Sequence, residues 1–369
     1  MKSRVEKVFA HLEKAPDVVV LANSVEPHID NSFYYLFDVP SGLFEGSIEV
    51  AHPDGRLDLL TGALEADTAD RAAKDDPHTT VHRVDRGETG KVLQRLVPAN
   101  ATVGLNYREL THAGFLQLTE MLPGATFVDA GAGLARARAV KDASEIERIR
   151  RAASIGSRVA IEIPTLLRAG MTELELAAEM EYRMNQLGAN GRSFSTIVGF
   201  GAHSAEPHYS PDDSRLRPGE SIVCDFGAWY RRYACDITRS FHFGPRDAEL
   251  QAVHECVERA QQAALAVLRP GISGSEVHAA AQAVIDASPW KGSFTHGLGH
   301  ALGLAVHDGG TGLAPSVEEK LEVGMVVTVE PGIYLTGHGG VRIEDDVVIT
   351  STGYEFLTTA PRGYLEVAA

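Results

Sequence analysis

Residues 222–241 read IVCDFGAWYRRYACDITRSF, with the pair Cys-Asp twice, at Cys224-Asp225 and Cys235-Asp236. β-Branched and aromatic residues fill both halves around Tyr230-Arg231-Arg232, which predicts two adjacent antiparallel strands joined by a turn. Successive strand residues face opposite ways, so each Asp and the Cys before it point to different sides. A carboxylate inside an apolar strand is expensive to bury unless it is paired or binds a metal. A free cysteine there behaves as a small hydrophobe. The expectation is that Asp225 and Asp236 face a pocket, and that Cys224 and Cys235 are packing rather than half of a zinc site.

Residues of matching character follow downstream. FTHGLGHALGLAVHD places His296, His300 and His307 within one Gly-rich segment. His-x-x-x-His suggests the zinc helix, but glycines stand at 297 and 299 and no Glu follows His296, so that motif is absent. In MVVTVEPGIYLTGHGGVRIEDDVVIT, Glu330 ends an apolar strand, and Glu344 is expected inside another strand after a glycine-rich loop. The inferred set is Asp225, Asp236, His300, Glu330 and Glu344. Four buried carboxylates without cations would have to take up protons, whereas two divalent ions balance them. Oxygen donors with one imidazole suit Mn²⁺, Co²⁺ or Zn²⁺ better than thiolate chemistry would. Two such ions roughly 3.5–4 Å apart can share a water and bring its pKa towards about 7. The chemistry inferred is hydrolysis.

Three weak matches at an offset of about a hundred residues suggest an internal duplication. LLRAGMTELELAA pairs with VLRPGISGSEVHAA, RPGESIVCDFGAWY with LEVGMVVTVEPGIY, and GAHSAEPH with HALGLAVH. The first pair carries two capping boxes, Thr172 with Glu175 and Ser273 with Glu276, so each should start a helix. The second sets Asp225 opposite Glu330, and the third His208 opposite His307. Duplicated α+β halves about a pseudo-two-fold axis would bring matched carboxylates together.

The chain has 369 residues, long enough for two domains. Its 34 Lys+Arg against 50 Asp+Glu give −16, which argues against binding nucleic acid or an anionic membrane through bulk charge. Three cysteines suit a reducing cytoplasm rather than a disulfide framework. The charged N-terminus lacks a signal peptide's apolar run, and no stretch approaches the roughly 18 apolar residues of a membrane helix. The first third alternates strands (PDVVVLAN, GSIEVAHPDGRLDLLTG, ATVGLNY, ATFVDAG) with the helical THAGFLQLTEML, an α/β pattern. From Ala135 to Gly170 the texture becomes one long, charged, helix-period stretch. The expected domains are therefore residues 1–139, α/β, and 140–369, α+β.

AEPHYS, DFGAWYRRYACDITRSF, HGLGHALGLAVHD, VEPGIY and GVRIED, with VKDASEIERIRRAA before them, resemble in order the segments of the pita-bread metallopeptidases. These are the relatives of methionine aminopeptidase, aminopeptidase P and prolidase, and the match is to the proline-directed branch. The resemblance covers residue 140 to the end; the N-terminal domain fits by size and α/β character. It implies a creatinase/aminopeptidase-like catalytic domain that hydrolyses Xaa-Pro bonds, as an Xaa-Pro dipeptidase or as an aminopeptidase on longer peptides. Asp225 would chelate one metal ion, Asp236 and Glu344 would bridge two, and His300 and Glu330 would complete the second site. Glu330 would also be the general base. His208 and His307 would contact the substrate and stabilise the oxyanion, while His296 and Arg342 would hold its proline or carboxylate end. For Arg342 a plain charge partner of the acidic site is the alternative. The resemblance further implies a homodimer and two divalent ions, with Mn²⁺ favoured. Creatinase shares the fold without the metal ligands, so metal-dependent attack on another small molecule is a second class, and a non-catalytic binding module a third. Glu206, Trp229, Arg231 and Arg232 depart from the family pattern and are candidates for altering specificity.

Overall fold

Short apolar runs bounded by Gly, Pro and Asp become the strands of the first unit. The computed structural model describes residues 1–245 and 247–368, and the chain divides into units of residues 1–138 and 139–369. After α1 (Lys2–Ala10), the valines of β1 (Val18–Ala22) are buried, which explains why that strand lacks polar alternation. Asp30 caps α2 (Asn31–Phe37), its carboxylate accepting from the Ser32 N–H. β2 (Ile48–Ala51) and β3 (Leu57–Thr61) pair antiparallel around Asp54-Gly55, where Gly55 adopts φ +87°. There follow α3 (Ala66–Ala73), β4 (Thr79–Arg83), α4 (Thr89–Leu96), β5 (Thr102–Leu105), α5 (His112–Met121), β6 (Thr126–Asp129) and α6 (Gly131–Ala139). The six strands form one mixed sheet in the order β4-β3-β2-β1-β5-β6.

The single helical stretch expected from Ala135 to Gly170 is broken. α6 ends at Ala139 and α7 runs Ala143–Leu166. Between them Val140 bridges Met325 in strand fashion and the Lys141 N–H donates to the Gly324 carbonyl. Asp142 then restarts the helix with a capping box to Glu145. That D-x-x-E signal stood in the sequence, hidden by the charge of its surroundings.

In the second unit α8 (Glu173–Gln186) starts from the expected Thr172–Glu175 capping box. β7 (Gly191–Arg192), β8 (Ile197–Phe200), β9 (Glu220–Phe226), β10 (Ala228–Tyr230), β11 (Tyr233–Ala234) and β12 (Ile237–Phe243) follow. α9 (Ala248–Val267) and α10 (Gly274–Asp286) come next, the latter from the Ser273–Glu276 box. The chain closes with β13 (Val326–Val329), β14 (Gly332–Leu335), β15 (Gly339–Arg342), β16 (Asp345–Thr350), β17 (Gly353–Phe356) and β18 (Leu365–Val367). Four small sheets result: β11-β10-β7, β18-β12-β9-β8, β13-β16-β17 and β14-β15. The recurrence of helix–helix–carboxylate strand in both halves is the duplication read from the sequence, and the architecture is mixed α+β. α9 buries Val253, Cys256, Val257, Ala260 and Ala264, and α10 buries Val277, Ala281 and Ile285, in one core with Val327, Val329 and Ile343. No helix among the described residues is long and apolar enough to cross a membrane.

Candidate metal centre and substrate cavity

The opening stretch folds as two antiparallel strands, with one refinement. β9 and β12 pair with Asp225 opposite Thr238, while the tip splits off as β10 and β11 in a separate sheet. Gly227 makes that departure possible, since a Cβ there would lie 1.9 Å from the Cys235 carbonyl oxygen. Arg231 and Arg232 turn the tip with φ of +46° and +73°, the left-handed pair a two-residue hairpin requires. Cys224 and Cys235 are buried away from the cavity, and burial pushes both thiols up. Cys235 packs on the α7 backbone at Gly156.

Asp225, Asp236, His300, Glu330 and Glu344 all line one cavity of about 340 Å³, together with His208, His296, His307 and Arg342. Every candidate catalytic, metal-ligating and substrate-binding residue named from the sequence therefore lines this one cavity. Glu330 follows directly on β13. Glu344, expected inside a strand, instead sits between β15 and β16, where the chain changes from pairing with β14 to pairing with β13. The Arg239 guanidinium takes the Glu344 carbonyl at this change of sheet, donating from Nη1 at 2.6 Å. The histidine segment is irregular, as its glycines require: a Cβ on Gly299 would lie 2.0 Å from the Thr328 carbonyl oxygen.

His300 Nε2 stands 3.4 Å from Asp236 Oδ2 and 3.7 Å from Glu330 Oε1. Its Nδ1 donates to the Ala301 carbonyl at 3.3 Å, which leaves the Nε2 lone pair facing the carboxylates. Burial, followed by the neighbouring His307, holds His300 down to about 4, so its imidazole is neutral at physiological pH. Ligand atoms of Asp236, His300 and Glu344 lie within 4.8 Å of one another. Burial, then the surrounding carboxylates, drives Asp236 and Glu330 well above the usual carboxylate range and Glu344 up to about 8.

Three buried carboxylate oxygens, Asp225 Oδ1, Asp236 Oδ1 and Glu344 Oε1, lack a hydrogen-bond partner. Orphaned carboxylate oxygens converging on a neutral imidazole form a donor set that fits divalent cations, and among these residues only Arg342 offers a compensating positive charge. A further trio, Glu173, His203 and Asp212, also comes close together. There the Glu173 oxygens accept from the backbone N–H groups of Phe200 and Asp212, with His203 Nδ1 at 3.0 Å. That trio anchors the segment carrying Pro207 and His208.

Arg342 is fully engaged on the acidic wall. Its Nη2 donates to Asp225 Oδ2 at 2.5 Å, Nη1 to the Tyr334 hydroxyl at 2.8 Å, and Nε to Thr238 Oγ1 at 3.1 Å. In this arrangement its immediate partner is Asp225. His296 Nδ1 lies 2.7 Å from the Gly297 carbonyl, so Nε2 accepts from the Tyr334 hydroxyl at 2.9 Å. Both nitrogens are taken, and the ring itself forms the wall. Thr238 Oγ1 also donates to Glu344 Oε2 at 2.6 Å. Reasoning from the sequence missed Thr238, Tyr334 and the apolar lining residues Phe194, Ile197 and Val306. Thr238, two positions after Asp236, shares its face by strand alternation and was within reach of that argument. Glu206, Trp229, Arg231 and Arg232 do not line the cavity.

The profile of metallopeptidase family M24 matches residues 147–351, and that of the creatinase/prolidase N-terminal domain matches residues 13–140. The uncharacterized peptidase YqhT of Bacillus subtilis is 35% identical over 260 residues, 70% of this chain and 73% of the relative. Among solved structures, an X-Pro aminopeptidase from Thermotoga maritima superposes with a TM-score of 0.89 at 34% identity, covering 99% of this chain and 100% of that one. An Xaa-Pro dipeptidase from Bacillus anthracis gives 0.88 at 29% identity, covering 99% and 98%.

Proposed function

Because this chain belongs to metallopeptidase family M24, we propose that it hydrolyses peptide bonds before proline, acting first as an Xaa-Pro dipeptidase. The observation that carries the reading is the convergence of five metal-ligand side chains and three further histidines on one cavity. In this reading Asp225 would hold one divalent ion, Asp236 and Glu344 would hold both ions, and His300 and Glu330 would hold the second. Mn²⁺ is the proposed metal, with Co²⁺ or Zn²⁺ as substitutes. Bound there, the ions supply the Lewis acidity that makes water nucleophilic near neutral pH.

The chain's own groups do the rest. Glu330 accepts the proton of the attacking water and delivers it to the prolyl nitrogen as the C–N bond breaks. His208 and His307 donate to the oxygen on which negative charge develops. The wall of His296 and Arg342 receives the prolyl end, and Phe194, Ile197 and Val306 offer apolar surface to the residue before it.

An aminopeptidase mode on longer peptides is the second reading, favoured by the likeness to the Thermotoga enzyme. A series of Ala-Pro, Ala-Pro-Ala and longer peptides, assayed with each metal, separates the two. Cleavage confined to Ala-Pro supports the dipeptidase, cleavage rising with length supports the aminopeptidase, and hydrolysis of none refutes both. We further propose residues 1–139 and 140–369 as the N-terminal and catalytic domains of a cytoplasmic homodimer. Light scattering tests the dimer.

A further inference from the structure

Gln261 is a polar residue within an apolar stripe of α9. It lies on the buried face of α9, with no exposed surface, among Val257, Ala260, Ala264 and Leu265. A helix packing through that stripe gains nothing from an amide, and a buried amide is costly unless its hydrogen bonds are made. The Nε2 group makes them at one place. It donates to the Val329 carbonyl at 3.1 Å and to Asp345 Oδ2 at 3.0 Å, with the Ile343 carbonyl at 3.5 Å.

Val329 immediately precedes Glu330, while Ile343 and Asp345 flank Glu344. Val329 and Asp345 are the last pair of the β13–β16 ladder. Beyond that pair both strands leave the sheet, and the next residues are the two glutamates of the metal centre. The amide thus sits where the ladder ends and bridges both departing strands. All three neighbours are acceptors, which fixes the amide with its nitrogen towards them, and Oε1 has no partner.

We propose that Gln261 is a positioning residue, setting the spacing of Glu330 and Glu344 by tying the backbones before and after them to α9. The inference rests on the metal-binding reading above and concerns a residue that touches neither metal nor substrate. A partner of this kind, one layer behind the ligands, typically changes metal affinity by roughly 10–100-fold.

The test is calorimetric titration of Mn²⁺ into metal-free wild type, Gln261→Met and Cys256→Ala, each shown to be folded by circular dichroism. Cys256 is buried on the same helix and in the same core, so its variant reports what loosened packing alone does. The expected result is a loss of roughly 10–100-fold in Mn²⁺ affinity for Gln261→Met, with Cys256→Ala within about twofold of wild type. Should Gln261→Met fail to fold, Gln261→Ala is titrated instead, since it removes the amide without adding bulk to the core. Wild-type affinity in the folded Gln261 variant, or an equal loss in Cys256→Ala, overturns the proposal. A wild-type chain that takes up no Mn²⁺ overturns the reading of the metal centre itself, and this inference with it.

Discussion

Stripping divalent ions from the protein and raising the pH should destabilise it, and the site's own carboxylates set the size of the effect. Glu344 is held at about 8 in the folded chain by burial and the nearby Asp225 carboxylate, against an ordinary value near 4.5. A folded-state pKa above the unfolded one means that the folded chain holds a proton the unfolded chain has lost. Stability therefore falls as pH rises through about 8. Between about pH 6.5 and about pH 9 the linkage relation gives a loss of about 2 kcal/mol from Glu344 alone. Asp236 and Glu330, also raised, add to it in the same direction.

The window opens at about 6.5 for a reason. Below it His296 and His300, both pushed down to about 4 by burial, act with the opposite sign, because the unfolded chain takes up their protons first. The buried thiols of Cys224 and Cys235 also favour lower pH, but they titrate alike with and without metal. The informative quantity is the difference between chelator-treated and Mn²⁺-saturated protein in thermal unfolding across that range. For a domain of this size about 2 kcal/mol corresponds to a fall of about 4–8 °C. It should appear only in the metal-free protein and shrink in Glu344→Gln. An identical pH dependence with and without Mn²⁺ would refute the reasoning.

Three further outcomes follow from the same geometry. Glu330→Gln should abolish turnover on Ala-Pro while leaving circular dichroism near wild type; activity near wild type would remove Glu330 as base. Replacing Cys224 and Cys235 together with Ala should leave the metal content measured by elemental analysis unchanged, since both thiols face away from the cavity. Arg342→Met should cost the metal-free protein about 3–5 kcal/mol in denaturant unfolding, because Asp225 is left as a buried carboxylate without its partner. Saturation with Mn²⁺ should recover part of that loss.

The residues proposed as metal ligands were legible because each broke a local rule. Asp225 and Asp236 are carboxylates in apolar strands, and Glu330 and Glu344 stand in the repeated half at corresponding texture. Strand alternation alone separated Asp225 from Cys224. What surrounds the ligands was harder to read. Tyr334 and Thr238 are ordinary strand residues, and only the three-dimensional meeting of β12, β14 and β15 makes them partners of Arg342. Gln261 looks like any polar position of a helix until β13 and β16 are laid against α9. The break between α6 and α7 went unseen because helix-favouring charged residues run through it, although Asp142 and Glu145 carried the capping signal. Departures at Trp229 and Arg231 drew attention as specificity candidates, yet the hairpin tip carries them to a separate sheet away from the cavity.

The central claim is that four carboxylates and one imidazole hold two divalent ions side by side. Anomalous diffraction from crystals of the Mn²⁺-loaded protein tests it most directly. The account predicts two anomalous peaks per chain, both contacted by Asp236 and Glu344, with Asp225 on one and His300 and Glu330 on the other. A single peak, or density away from these five side chains, would contradict it.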